Sequence, residues 1–292
     1  MRIKTSAGEK AFDTFNVLLL LALCATILIP FLFVLASSLS STTALIQGRV
    51  RLWPVEFNLD NYAMVMTNAV FWRSFGISVL VVTIGTLLNM FMTVVTAYPL
   101  SRPKLKGKKA VLLGIVFTMI FQAPIVPTYI LVKQLGLLNS IWALIIPAAL
   151  SAFNLLICLT SFRSLPEELL EAARVDGMNE YRILYRIVVP LSIPILVTLI
   201  LFYAVGHWNN YFAPLLYITK SSIRPLQLYL YNIIAQFNMS DTFPEALDAA
   251  QKVSPQGLQM TVIIVSSLPI LLIYPFIQKH FIKGALLGSI KE

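Results

Sequence analysis

Six stretches of this chain are long, apolar and free of Asp, Glu, Lys and Arg: 14–39, 75–100, 110–132, 140–162, 187–216 and 258–278. A membrane crossing needs about 20 mainly apolar residues. In hydrocarbon every backbone N–H and C=O must be bonded within the protein, which only helices and closed barrels achieve. No period-2 alternation runs through these stretches, so a barrel is excluded. The expected fold is all-α, a polytopic membrane protein with six transmembrane helices forming one domain over 1–292. The overall composition agrees, at 58% hydrophobic and 12% charged, against about a quarter charged in soluble domains. The first run follows Arg2, Lys4 and Lys10. It is too long for a signal-peptide core and has no clean small-x-small site, so it reads as a retained span.

Orientation follows from Lys and Arg, which accumulate on the cytoplasmic side. With the amino terminus inside, the inner segments carry fifteen basic residues and the outer ones seven, the full 22. Both termini are then cytoplasmic, with outer loops over 47–74 and 217–257. The net charge of +9 is a topology signal with attraction to anionic lipid, not a nucleic-acid footprint. The first outer loop, with Trp53-Pro54 and Asn58 to Tyr62, is expected to hold a short interfacial helix. The second carries Tyr229, Tyr231, Phe237, Asp241 and Glu245, a mixture suited to contact with another protein.

The inner segment 164–190 is the one long polar insert. It holds five of the thirteen acids (Glu167, Glu168, Glu171, Asp176, Glu180) and Arg174, Arg182 and Arg186. Ser164 and Glu167 have the spacing of a capping box. Acids crowd the start of the helix and Arg174 lies near its end, which suits the macrodipole. Leu169, Leu170, Ala172, Ala173 and Val175 give it an apolar side. Gly177 is a left-handed stop, and a second helix runs from Asn179 to about Val188. The segment is a helix, a glycine elbow and a helix, expected outside the bilayer between two spans.

Chemistry is mostly absent. There is no GxxxxGK[ST] loop, so no ATP site of that kind. The acids form no hydrolytic pair, His207 and His280 cannot build a metal site alone, and Cys24 and Cys158 read as small hydrophobes. Ion-driven carriers usually hold ionisable groups at mid-membrane; none of the six runs holds an Asp, Glu, Lys or Arg. Energy for uphill transport must then arrive from outside the lipid. The neutral polar groups in the spans are Asn89, Gln122, Asn154, His207, Asn209 and Asn210. Asn89 and Gln122 read as interhelical glue. Trp208, Asn209, Asn210, Tyr211 and Asn154 are candidates for a sugar path, where amides bond hydroxyls and rings stack on pyranoses.

Glu171-Ala172-Ala173, Asp176-Gly177, Ile187 and Pro190 resemble the EAA loop of the membrane subunits of binding-protein-dependent ABC importers. Met178 and Leu184 depart from that pattern, where a small residue and Phe are usual. The likeness extends to Ala97 through Arg102, Leu135 through Ser140, Trp208-Asn209 and the ending Lys283 through Lys291. The chain is similar to the maltose-permease type of carbohydrate importer, in the branch for oligosaccharides such as alginate and aldouronates. That resemblance implies a second, homologous permease subunit, two ATPase subunits holding ATP and Mg, and an extracytoplasmic solute-binding protein. It implies no cofactor and no catalysis on this chain, and residence in the bacterial inner membrane. It assigns ATPase coupling to Glu168, Glu171, Ala172, Ala173, Asp176 and Gly177; the length, aromatics and mixed charge of the second outer loop make it the expected contact for the binding protein. An ion-coupled carrier and a membrane-embedded enzyme remain the rival classes.

Overall fold

The computed structural model describes residues 7–121, 123–240 and 254–289. Among the described residues all regular structure is helical. In chain order the helices are α1 (Ala7–Ser38), α2 (Thr42–Ile46), α3 (Asp60–Thr67), α4 (Ala69–Ser101), α5 (Lys108–Ile120), α6 (Ile125–Gln134), α7 (Trp142–Ile145) and α8 (Ala152–Arg163). Then come α9 (Glu167–Val175), α10 (Glu180–Ile183), α11 (Val189–Leu191), α12 (Ile193–Asn209), α13 (Phe212–Tyr217), α14 (Leu226–Ser240) and α15 (Pro255–Ser289). A π-helical turn, Leu184–Val188, joins α10 to α11. Three helices, α1, α4 and the apolar part of α15, are each long and apolar enough to cross a membrane; two bent pairs, α5 with α6 and α10–α11 with α12, raise the number to five.

The expected fourth span, 140–162, is not one helix. It divides into α7 and the 12-residue α8, and α8 is only about 18 Å long at 1.5 Å per residue. Pro147 lies in the break and can donate no backbone hydrogen bond. The Ser151 hydroxyl caps α8 by accepting from the Asn154 N–H at 3.4 Å. The stretch 217–257 contains α14, a 15-residue helix. Within 47–74, where a short helix was expected, Asp60–Thr67 forms α3. Gln122, Asp241 and Glu245 lie outside the described residues.

The chain divides into two compact units, Met1–Ala69 with Asn232–Leu268 and Val70–Tyr231 with Pro269–Glu292. In the first unit, α1 is exposed along almost its whole length, including Cys24. Small polar groups tie its end to the neighbouring loop. The Ser40 hydroxyl donates to the Ala36 carbonyl at 2.7 Å and accepts from the Val55 N–H at 3.0 Å. Glu56, at φ +53°, accepts from Ser41 Oγ at 2.5 Å, Arg49 Nη2 at 2.6 Å and Thr43 Oγ1 at 3.0 Å. These bonds, Ser41 first, hold its carboxyl down at about 2. Gly257 lies so close to Asn61 that a Cβ would stand 2.7 Å from its Nδ2. Beside it Thr261 Oγ1 donates to the Ser38 carbonyl at 3.4 Å.

The second unit has two apolar clusters. One gathers Ala97, Tyr98, Phe162, Leu170, Ile183 and Val188. The other gathers Val81, Val132, Leu144, Ile145, Tyr217 and Leu228. The second is closed by the loop after α6. Gly136 (φ +68°) and Asn139 (φ +56°) turn the chain there. The Asn139 Oδ1 accepts from the Thr219 N–H at 2.7 Å and the Lys220 N–H at 3.0 Å.

A polar set bridges α4, α12 and the broken fourth stretch. Asn89, fully buried, donates through Nδ2 to the Ala148 carbonyl in the break. Its Oδ1 therefore faces His207 Nε2 at 2.7 Å, and the ring must donate from Nε2. Tyr203 Oη pairs with Thr93 Oγ1 at 2.7 Å and accepts from the Ser151 N–H at 3.3 Å. The expected role of Asn89 as glue is what the geometry shows, and the carbonyl it holds lies in the break between α7 and α8. Gly85 completes the arrangement, since a Cβ there would lie 2.6 Å from His207 Nε2.

Gly85→Ala is expected to push the His207 ring off Asn89, and Asn89→Leu to strand the Ala148 carbonyl and the imidazole. Each loss is of the order of 0.6–2 kcal/mol. Thermal unfolding in mild detergent should show both variants destabilised and the double variant less than additive. A neutral Gly85→Ala would mean that the ring has room to move.

Candidate functional site

The polar insert folds as a rigid bend. α9 begins with Glu167 and Glu168 in its first turn and ends with Arg174 in its last, the order the macrodipole favours. The capping box does not form. Ser164 closes α8 instead, its hydroxyl donating to the Ser161 carbonyl at 2.8 Å, and Pro166 stands at the N-cap of α9 with no side-chain cap. The helix starts later than the Ser164–Glu167 spacing implied, because a hydroxyl already placed on the preceding helix has a nearer acceptor.

The stop at Gly177 is as expected. Its φ is +77°, the Gly177 N–H donates to the Arg174 carbonyl at 3.0 Å and the Met178 N–H to the Ala173 carbonyl at 3.0 Å. This pair of bonds is a Schellman motif. Nothing lies within 4 Å of a Cβ built on Gly177, so the constraint on this position within the chain is backbone handedness alone. Asn179 then caps α10, its Oδ1 accepting from the Arg182 N–H at 2.9 Å. The second helix is not uniform. Pro190 has no N–H to offer the carbonyl four residues back and its ring crowds that carbonyl, and the turn before it widens to the π form. At Ser192 the path bends by 84° into α12.

One side of α9 is buried and the other bare. Leu170 (1% exposed) and Ala173 (4%) pack into the apolar cluster with Phe162, Ile183 and Val188. Glu168, Glu171, Ala172, Asp176 and Gly177 are exposed. Five of the six residues expected to couple thus share the open side, and Ala173 supports it from beneath. Three residues assigned to the helix's own apolar side by the sequence are exposed: Leu169 (48%), Ala172 and, most of all, Val175 (88%). Val175 lies four residues after Glu171 on the same open face. Its burial state has no signal in the sequence, because helical spacing alone does not say which apolar stripe finds the core.

The candidate path residues separate. Trp208 is 7% exposed and meets Phe75 edge-to-face at 5.8 Å. It lines an apolar groove of about 230 Å³ with Val79, Val82, Ala204, Pro269 and Ile270. Asn154 is buried in α8. Asn210 caps α13, its Oδ1 accepting from the Ala213 N–H at 3.1 Å. It also borders a small cavity with Ser78 and His207. Asn209 is exposed. Tyr211 (46% exposed) stacks on Tyr231 (40% exposed) with ring centroids 5.5 Å apart and planes 19° from parallel. The structure thus joins one residue expected on the path to one expected to touch a binding protein. Tyr229 packs edge-on to Phe71 at 6.4 Å. The side chain of Phe237, with Asp241 and Glu245, lies outside the described residues. Among the described residues no three His, Cys, Asp or Glu side chains converge as metal ligands.

Residues 87–286 match the family described as binding-protein-dependent transport system inner membrane component. The chain is 42% identical over 288 residues to Protein LplC of Bacillus subtilis, covering 98% of this chain and 97% of that one. It is 39% identical over 283 residues to the polygalacturonan/rhamnogalacturonan transport system permease protein YtcP of the same organism, covering 97% and 99%. A crystal structure of a bacterial ABC transporter involved in the import of the acidic polysaccharide alginate contains a chain that superposes with a TM-score of 0.89 at 32% identity, covering 96% of this chain and 99% of that one. With its helical architecture, its exposed EAA-type elbow and these matches, the chain belongs to the binding-protein-dependent transport system inner membrane component family.

Proposed function

We propose that this protein is a membrane-spanning permease subunit of an ATP-driven importer, which takes an oligosaccharide from an extracytoplasmic binding protein and passes it across the bacterial inner membrane. The observation that carries the reading is the exposed α9 elbow in a chain whose relatives over full length are sugar permeases. An acidic oligosaccharide is the proposed cargo, by likeness to the alginate importer. ATP and Mg belong to two partner ATPase subunits, and a second, homologous permease completes the pore. The six apolar runs cross the membrane once each, the fourth by way of α7, the break and α8. Both termini and α9 face the cytoplasm, supported by the fifteen-to-seven split of basic residues.

In this reading the exposed side of α9 sits in a cleft of the ATPase. Glu171 offers a carboxylate, Ala172 allows close approach and Val175 adds apolar contact. The elbow joins the fourth and fifth crossings directly, so displacing it moves both. Trp208, Asn209, Asn210, Tyr211 and Asn154 belong to the sugar path, with the exposed Tyr211–Tyr231 pair as a surface on which a pyranose stacks. Tyr229, Tyr231, Phe237, Asp241 and Glu245 meet the binding protein.

Three experiments test this. Single cysteines at Ser6, Ser240 and Ser289, in a background lacking Cys24 and Cys158, should label from the inside, outside and inside. Cytoplasmic labelling at Ser240 would overturn the topology.

Glu171→Lys should reverse the docking charge, and Gly177→Val should strain the left-handed turn by roughly 1–2 kcal/mol. Both variants should reach the membrane yet lose co-purifying ATPase and transport. Normal ATPase retention in both would remove the coupling role of the elbow.

Tyr211→Ala should lower uptake of labelled uronate oligosaccharides while leaving the complex assembled. Trp208→Ala should lower uptake more than it lowers assembly, and an equal loss of both would make that ring packing alone. Unchanged uptake by Tyr211→Ala would take that ring off the path.

A further inference from the structure

The elbow is fastened to a helix that is remote from it in sequence. Glu180 opens α10 and spends both carboxylate oxygens on other elements. Its Oε1 accepts from Arg174 Nε, at the end of α9, at 2.8 Å. Its Oε2 accepts from the hydroxyl of Tyr98, near the end of α4 and 82 residues away. Tyr98 is 6% exposed and is covered by Arg102, whose guanidinium lies 4.9 Å from the ring centroid. Arg102 in turn donates through Nη2 to the Phe162 carbonyl at the end of α8, at 3.3 Å, and through Nε to Ser101 Oγ at 2.9 Å. The ends of α4 and α8 and both arms of the elbow therefore meet in one polar chain. The Arg174 bond, with Tyr98 assisting and burial opposing, holds the Glu180 carboxyl below the usual range. It is ionised at neutral pH and only accepts, as both of its bonds require.

Beneath this chain the same elements share apolar contacts, with Ala97, Tyr98 and Leu100 of α4 in one cluster with Leu170 and Ala173 of α9 and Ile183 of α10. Apolar contact resists separation, but it is non-directional and tolerates sliding. Charge-assisted hydrogen bonds fix direction and register, and are about twice as strong as neutral ones. We infer that Glu180 is a positioning residue that clamps the second span to the coupling elbow, so that displacement of the elbow drives α4 together with the two spans it joins covalently. This rests on the reading of α9 as the ATPase-docking element. It adds a third helix to the moving body and gives Tyr98 and Arg102 a task beyond packing.

The test uses the complete transporter in nanodiscs, on a background lacking Cys24 and Cys158. Nitroxide labels go at Val95 on α4 and Tyr181 on α10, both exposed and neither in the clasp. Electron–electron distances are compared without nucleotide and with ATP held by hydrolysis-deficient ATPase subunits. In the parent the Val95–Tyr181 distance should be the same in both states. In Glu180→Gln and in Tyr98→Phe, which keeps the ring, the distribution should shift and broaden on ATP binding, while co-purifying ATPase stays at the parental level. The double variant should be no worse than either single one, since both cut the same link. An invariant distance in both variants, or a parental distance that already changes with ATP, overturns the clamp. Loss of the clamp with normal ATPase attachment is distinct from failure of the docking reading, in which Glu171→Lys would retain the ATPase. A purely stabilising role would lower the unfolding temperature without moving the distance.

Discussion

Backbone groups in hydrocarbon have no water to turn to, and each one left unpaired there costs several kcal/mol. The second unit depends on how this constraint is met where its helices break. Pro147 and Pro190 each remove a donor, and the chain answers differently at the two places. At the fourth stretch it interrupts the helix, and side chains reach backbone groups of the break: Asn89 the Ala148 carbonyl, Tyr203 the Ser151 N–H. Around Pro190 it widens one turn to the π form and then bends at Ser192. The polar residues of the spans are thus distributed by the breaks. His207 follows from the same logic, because Asn89 has one donor aimed at Ala148 and an acceptor left for the imidazole.

Much of this was legible in advance and some was not, for physical reasons. The apolar runs made an all-helical membrane protein inescapable, and Gly177 marked a turn whose handedness the structure confirms. The Leu135–Ser140 junction proved to be two left-handed residues closing a cluster. Helix ends were less readable. Ser164 has the spacing of a cap, yet spacing does not reveal that its hydroxyl already belongs to α8. The division of 140–162 depended on where Pro147 falls relative to neighbours far away in sequence. Asn89 could be recognised as glue, but its partner 59 residues on could not. At the candidate site Glu168, Glu171 and Ala172 could be named from the sequence and are exposed, whereas the exposure of Leu169 and Val175 and the Tyr98–Glu180 contact could not be foreseen, since burial and long-range pairing are properties of the assembled core.

The elbow combines two kinds of stiffness. A Schellman stop fixes the angle between its arms through backbone bonds that no side chain can replace. Leu170 and Ala173 anchor the first arm, and Ile183, Leu184 and Val188 the second, in one cluster. In the proposed coupling role, the elbow would carry a push only if its seat does not yield. The seat here is apolar packing capped by a charged clasp at the surface, where Glu180 and Arg174 remain partly exposed. Desolvation costs there are small, so the pair supplies direction without the penalty of a fully buried ion pair.

The distribution of charge across the two ends of the second unit then acquires a mechanical meaning. The polar contacts along the spans, Asn89–His207 and Thr93–Tyr203, involve no carboxylate, lysine or arginine. Such bonds average about 0.6 kcal/mol in membrane proteins, close to thermal energy. A carrier that alternates between two conformations must break and remake interhelical contacts in each cycle, and contacts of this strength are exchanged at little cost. Ionic contacts at that depth would trap one conformation. Where motion must instead be enforced, at the proposed ATPase-facing end, the contacts are charge-assisted and converge on a single carboxylate. Weak bonds along the helices and charge-assisted ones at the elbow are the arrangement that the proposed drive from one side would require.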